Sequence, residues 1–197
     1  MKKILILTVL LFSFYVQAQT FDITSGNVIQ DIPTGGYIKD IDGQFDKFSG
    51  TWVWTNGDEK VTFKLQKVTH QLFTEYSSYE DYMIGDYSYT KNYGNEVVVN
   101  TINPALSLLP EFHPMYTGRP ESDTTIDFIF TDVIINKGYC SAIFEFLPGS
   151  TTQMKLILKN SDGPIGFKVD EGEPIDIPPP FNFGFTIPNN IVLTKQP

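Results

Sequence analysis

From Gly50 onward the chain alternates apolar and polar residues with a period of two. Val61, Phe63 and Leu65 share one face of a run whose other face carries Thr62, Lys64 and Gln66. Met154, Leu156 and Leu158 alternate with Gln153, Lys155, Ile157 and Lys159 in the same manner. Successive side chains of a strand point to opposite faces, so this is the pattern of antiparallel strands with one face buried and one solvated. Turn signals separate the runs. Asn56-Gly57 joins 51–55 to 59–69, and Asn92-Tyr93-Gly94-Asn95 joins 82–90 to 96–102. Asn136-Lys137-Gly138 joins 125–135 to 139–147, and Pro148-Gly149-Ser150 leads into 152–159. Asn-Gly is the strongest of these, because both central residues of a type I′ turn need positive φ. With 190–195 the runs number eight, in up-and-down order. They predict an all-β fold, an eight-stranded antiparallel up-and-down barrel, with a β-sandwich built from the same runs as the alternative.

Three stretches break the rhythm. Residues 19–49, punctuated by Pro33, Gly35-Gly36 and Gly43, read as an extended N-terminal arm. Residues 103–124 carry Pro104, Pro110, Pro114 and Pro120, so no central strand is expected there. Residues 160–189 carry Gly163-Pro164, Gly166, Gly172, Pro174 and the triplet Pro178-Pro179-Pro180, which predicts local polyproline II. Loops of this length tend to be functional. These two are decorated with Leu106, Leu108, Leu109, Phe112, Phe181, Phe183 and Phe185.

The first residues carry an address. Met1-Lys2-Lys3 is a positive start, 4–16 is an apolar core, and Val16-Gln17-Ala18 is a small-residue cleavage site. That core is too short to span a membrane, and no Cys follows it to take a lipid. The expected organisation is a signal peptide over 1–18 cleaved after Ala18, the arm over 19–49, and a barrel domain over 50–197. The product is secreted or periplasmic, with no membrane insertion after cleavage.

Composition narrows the partners. A chain of 197 residues, 41% hydrophobic and 14% aromatic, can bury a core of its own. Losing the two leader lysines takes the net charge from -9 to -11. Such a surface repels nucleic acid and anionic membranes, and a soluble monomer is expected. Cys140 is the single cysteine and reads as a small buried strand residue.

Candidate chemistry is sparse. His70 and His113 fall in no metal-ligand spacing, and no nucleophile elbow or phosphate loop occurs. Asp40-Ile41-Asp42-Gly43, followed by Asp46, lacks the sixth-position Gly and twelfth-position acid of a calcium loop, and reads as a solvated turn. Glu75, Glu80, Asp81 and Asp86 cluster without any sign of convergence. Catalytic residues, metal and cofactor are therefore all expected to be none. The densest signal is aromatic: Tyr76, Tyr79, Tyr82, Tyr87, Tyr89 and Tyr93 lie close together among Ser77, Ser78, Glu80 and Asp81. Tyrosine combines an apolar ring with a polar tip, which suits sugar or protein recognition, and it also packs well across strands. Trp54, Tyr76, Tyr79 and Tyr82 are the candidate ligand-binding residues. Trp52 and Trp54 share a face, as do Ile126, Phe128 and Phe130, and Phe144 with Phe146. Side chains this large argue for a filled interior.

Asp31-Ile32-Pro33, then Tyr37-Ile38-Lys39-Asp40, then Asp46-Lys47-Phe48-Ser49-Gly50-Thr51-Trp52, resembles an uncharacterised family of small secreted Bacteroidetes proteins, a domain of unknown function. The likeness extends to a terminal strand like that from Pro188 to Lys195. It implies a fold and no chemistry, since that family defines no catalytic residue. Gly50-Thr51-Trp52 also resembles the Gly-x-Trp opening of lipocalins and fatty-acid-binding proteins, which implies a small closed barrel plugged by the Trp. Lys195 is the nearest candidate for the basic residue that covers that Trp in lipocalins.

Together these readings describe an exported, non-enzymatic binding protein for a small apolar or glycan ligand. The alternative is a structural or protein-interaction module with a filled core and no small ligand. The partner is thus an unknown small molecule or protein.

Overall fold

The computed structural model describes residues 19–102, 112–135, 138–160 and 184–197. The signal peptide expected over 1–18, the stretch 103–111 with Leu106, Leu108 and Leu109, and residues 136–137 of an expected turn lie outside the described residues. So does the stretch 161–183, with the proline triplet, Phe181 and Phe183. The strands are β1 (Thr20–Asp22), β2 (Tyr37–Lys39), β3 (Gly50–Asn56), β4 (Glu59–Phe73), β5 (Ser78–Lys91), β6 (Glu96–Asn100), β7 (Met115–Ser122), β8 (Thr125–Thr131), β9 (Tyr139–Phe146), β10 (Gln153–Asn160) and β11 (Ile191–Lys195). Two compact units are present. One comprises the described part of Met1–Asp42 with Thr69–Asp81, the other Gly43–Val68 with the described part of Tyr82–Pro197.

In the larger unit, eight antiparallel strands close into a ring in the order β5-β4-β3-β11-β10-β9-β8-β7, with β7 pairing back onto β5. This is the expected barrel, and its closure excludes the sandwich alternative. The β3–β4 hairpin falls where the sequence predicts, but Asn56 is a strand residue opposite Glu59, and the two turn residues are Gly57, with a φ of 61°, and Asp58. One member of the ring differs from expectation. The run 96–102 supplies β6, which pairs with β5 outside the ring, while β7 is drawn from the proline-bearing stretch. Pro120 is tolerated because the β7–β8 register shifts between Tyr116 and Arg119 and again between Pro120 and Ser122. At such bulges the ladder does not need the missing N–H. β6 diverges at a bulge of its own, between Tyr89 and Thr90 of β5.

In the smaller unit, β1 runs parallel to β2, and β2 runs parallel to the start of β5, with Tyr37 opposite Tyr79. Ile23, Ile29, Ile32 and Ile38 are buried there. Backbone bonds from Gly35 N to Ser77 O (2.8 Å) and from Tyr79 N to Gly36 O (2.8 Å) hold residues 35–37 against the β4–β5 turn.

Candidate functional site

The first place to look for a ligand in a barrel is its interior. In this ring β4 and β9 stand opposite each other: β3, β11 and β10 intervene one way, β5, β7 and β8 the other. Phe63 of β4 nevertheless meets Phe144 of β9 edge to face, with ring centroids 5.3 Å apart. Side chains thus touch across the full diameter. Phe63 also packs on Tyr87 at 6.0 Å, Phe144 on Phe128 at 5.6 Å, and Tyr87 on Phe130 at 5.6 Å. All of these residues are almost fully buried. Ring pairs at such spacings are a packed core, so the described side chains leave no lumen at this level. Burial pushes the Tyr87 hydroxyl above its ordinary range, and the nearby Asp132 carboxylate adds to the effect.

The start of β3 carries the Gly-Thr-Trp opening. Trp52 is fully buried, and its indole N–H donates to Phe48 O at 2.7 Å. Lys195 pairs with Trp52 in the β11–β3 register and places its ammonium 5.2 Å from the indole ring while donating to Lys47 O at 2.9 Å. Gly50 makes room for this: a Cβ there would stand 3.1 Å from Lys195 Cε, and its φ of +125° disfavours other residues. Burial holds the Lys195 ammonium below the usual lysine range.

Among the described residues, open depressions lie on the outer surface. Two features stand out, one in each unit. In the smaller unit an aromatic stack surrounds the Asp81 carboxylate. Asp81 is buried and accepts from the Tyr37 hydroxyl (2.5 Å), the His70 N–H (2.8 Å) and the Asp40 N–H (3.1 Å). The His70 ring lies flat on Tyr79 with centroids 4.1 Å apart and meets Tyr37 at 4.7 Å. Burial, reinforced by the Asp81 carboxylate, raises the Tyr37 hydroxyl well above its ordinary range. His70 is exposed and has a φ of 54°.

In the larger unit a depression of about 420 Å³ opens beside the β3–β4 hairpin. Hydroxyl and charged side chains line it together with Tyr93. A second depression, of about 440 Å³, shares Thr55 and Lys60 with the first and is lined by Trp54 and Val192. Glu59, at the start of β4, accepts from the Tyr89 hydroxyl at 2.8 Å and sits 3.6 Å from the Lys91 ammonium.

The predicted ligand residues therefore part company. Trp54 is half-buried at the second depression, whereas Tyr82 is buried in the core and presents no face to a ligand. Tyr76 and Tyr79 belong to the smaller unit, where Tyr79 is joined by His70 and Tyr37, two residues that sequence reasoning did not select. It also passed over Tyr93 as a site residue. The available signal was the Asn-Tyr-Gly turn, which forces a ring outward on a left-handed backbone. A separate pair joins His113 to Asp86: Nδ1 lies 2.9 Å from Oδ2, both side chains are about nine-tenths buried, and Asp86 Oδ1 has no hydrogen-bond partner among the described residues.

The chain belongs to a family of unknown function (DUF6705), whose model matches residues 1–196. No curated protein and no solved structure matches the chain.

Proposed function

We propose that this protein is exported, is processed after Ala18, and acts as a non-enzymatic binding protein that takes a glycan on its outer surface. The observation that carries this reading is the Phe63–Phe144 contact across the ring. A barrel packed across its diameter gives up the apolar cavity that a lipid-like ligand needs. What it leaves open is an outer surface that presents the exposed ring of Tyr93 beside hydroxyl side chains, a combination suited to stacking on a sugar ring while bonding its hydroxyls.

The test is a native mass spectrum of the processed protein purified from its own host, followed by binding to a saccharide array. The expected result is a chain beginning at Gln19, no tightly held apolar molecule, and saccharide binding. A stoichiometric apolar molecule released on denaturation would overturn the reading. A second reading, an interaction module with no small ligand, is favoured by Phe112, Val133 and Ile134, which are large, apolar and exposed. It predicts a co-purifying protein and a blank saccharide array.

A further inference from the structure

We propose that the depression beside the β3–β4 hairpin is a subsite for a neutral pyranose ring, with Tyr93 as its stacking residue; this rests on the reading that the ligand sits outside the barrel. At about 420 Å³ the depression falls within the size range of small-molecule sites, roughly 300–1,000 Å³. Thr55, Thr62, Ser88 and Thr90 line it with hydroxyls; Asp58, Glu59 and Lys60 line it too, and the Glu59 carboxylate is balanced by the Lys91 ammonium 3.6 Å away. That mixed lining, hydroxyls beside apolar carbon and balanced charges, matches a sugar ring, which has an apolar face, a rim of hydroxyls and no net charge.

Tyr93 is the residue whose presence the fold does not explain. It is 85% exposed, so its ring adds nothing to the core. Its backbone is left-handed, with a φ of 56°, between Asn92 at 53° and Gly94 at 90°. Asn and Gly accept that conformation readily, but a bulky aromatic residue is strained by it. Neither packing nor backbone preference retains a tyrosine here. Strain kept without a folding return marks a position held for binding.

The loop is also ordered in advance. Tyr93 N donates to Asp58 O at 3.0 Å, Asn92 N to Asp58 Oδ2 at 3.2 Å, and Asn92 Nδ2 to Glu96 Oε2 at 2.8 Å. A ring presented on a loop tied to the hairpin costs little further ordering when a ligand arrives. Its face would stack on the apolar face of a pyranose, with the Thr and Ser hydroxyls reaching the sugar oxygens.

The experiment titrates the processed protein with neutral oligosaccharides of glucose, mannose and galactose, and repeats the titration with Tyr93→Gly, Tyr93→Phe and Tyr79→Ala. Glycine is favoured at this φ, so Tyr93→Gly is expected to melt at or above the wild-type temperature while losing affinity about tenfold or more. Tyr93→Phe keeps the ring and is expected to stay within about threefold of wild type. Tyr79→Ala, in the other unit, is expected to leave affinity unchanged. Equal binding by wild type and Tyr93→Gly overturns the subsite and leaves surface binding standing, as does a loss confined to Tyr79→Ala. A lowered melting temperature for Tyr93→Gly shows that the ring belongs to the fold and overturns the subsite too. No saccharide binding, with an apolar molecule retained by the wild type, overturns both readings.

Discussion

Gly118→Ala asks directly whether the barrel is solid. Gly118 lies on β7, and a Cβ built there would stand 2.6 Å from Cδ1 and 2.7 Å from Cζ of Phe128, and closer still to Cε1. Ordinary carbon–carbon contact is about 3.5–4.0 Å, so the ring must retreat by roughly 1 Å. It has nowhere to go. Phe128 is 1% exposed and packs on Phe144, which in turn packs on Phe63 from the far side of the ring. Overpacking a core costs about 1–3 kcal/mol, and a methyl group driven into three ring atoms belongs at about 2–3 kcal/mol. For a domain of this size that is a fall in melting temperature of roughly 4–12 °C. Thermal unfolding followed by circular dichroism reads it. Phe128→Leu trims the obstructing edge, so the double variant is expected to be more stable than the sum of the two losses predicts, by about 1 kcal/mol or more. A Gly118→Ala variant within about 0.5 kcal/mol of wild type, with no coupling to Phe128→Leu, would mean that the ring has room to yield. The argument for an exterior ligand would then collapse with it.

Three further outcomes follow from buried polar groups. His113→Ala removes the hydrogen-bond partner of Asp86 Oδ2 in a buried site where Oδ1 has none among the described residues; it is expected to cost about 1–3 kcal/mol in urea unfolding, with Asp86→Leu/His113→Leu much closer to wild type. Burial raises the Asp127 carboxyl above its ordinary range despite the Ser141 hydroxyl that bonds it. The folded state therefore binds that proton more tightly than the unfolded chain, and this contribution to stability grows as pH falls through the raised value. Asp127→Asn is expected to flatten that part of the pH–stability curve without loss at pH 7; an unchanged curve would refute the assignment. Tyr37→Phe removes a hydrogen bond to the buried Asp81 carboxylate, worth about 1.5–3 kcal/mol. Hydrogen exchange should show faster opening of residues 37–40, and unchanged protection there would show that Asp81 does not hold this segment.

The ring was legible where the information is local. Gly57 sets a hairpin by accepting a positive φ, and Val61, Phe63 and Leu65 fix which face turns inward. What lay beyond reach was the choice between 96–102 and 115–122 as the eighth ring strand. Glu96-Val97-Val98-Val99-Asn100 looks the better strand residue by residue. Yet β5 pairs with both segments, and which of them closes the circle depends on where β8 waits to receive it. Pro120 argued against its own segment only under the assumption of a regular ladder, and the two shifts in the β7–β8 register remove that assumption. Strands of three residues such as β1 and β2 are too short for any period to show.

The candidate site was legible in residue type and not in orientation. Alternation assigns Tyr82 to the face opposite Met83 and Tyr87, and a half-buried strand would leave that face open. Residues 80–87 of β5 are instead buried on both faces, so Tyr82 is core. Tyr93 escaped for the opposite reason. A turn read as Asn-x-Gly draws attention to its Asn and Gly, which account for the bend, and away from the residue between them, which does not. The bend would be better served by a second Asn or Gly, and the ring beside it touches no core. A barrel packed at Phe63 and Phe144 leaves no room for a ligand at that level, and the proposed surface site needs side chains held out in advance. Tyr93 is held out at a cost in backbone strain, above a lining of hydroxyls, on a loop bonded to the adjoining hairpin. Strain, exposure and a lining that mixes hydroxyls with apolar carbon coincide there, and it is their coincidence that singles out this part of the barrel surface.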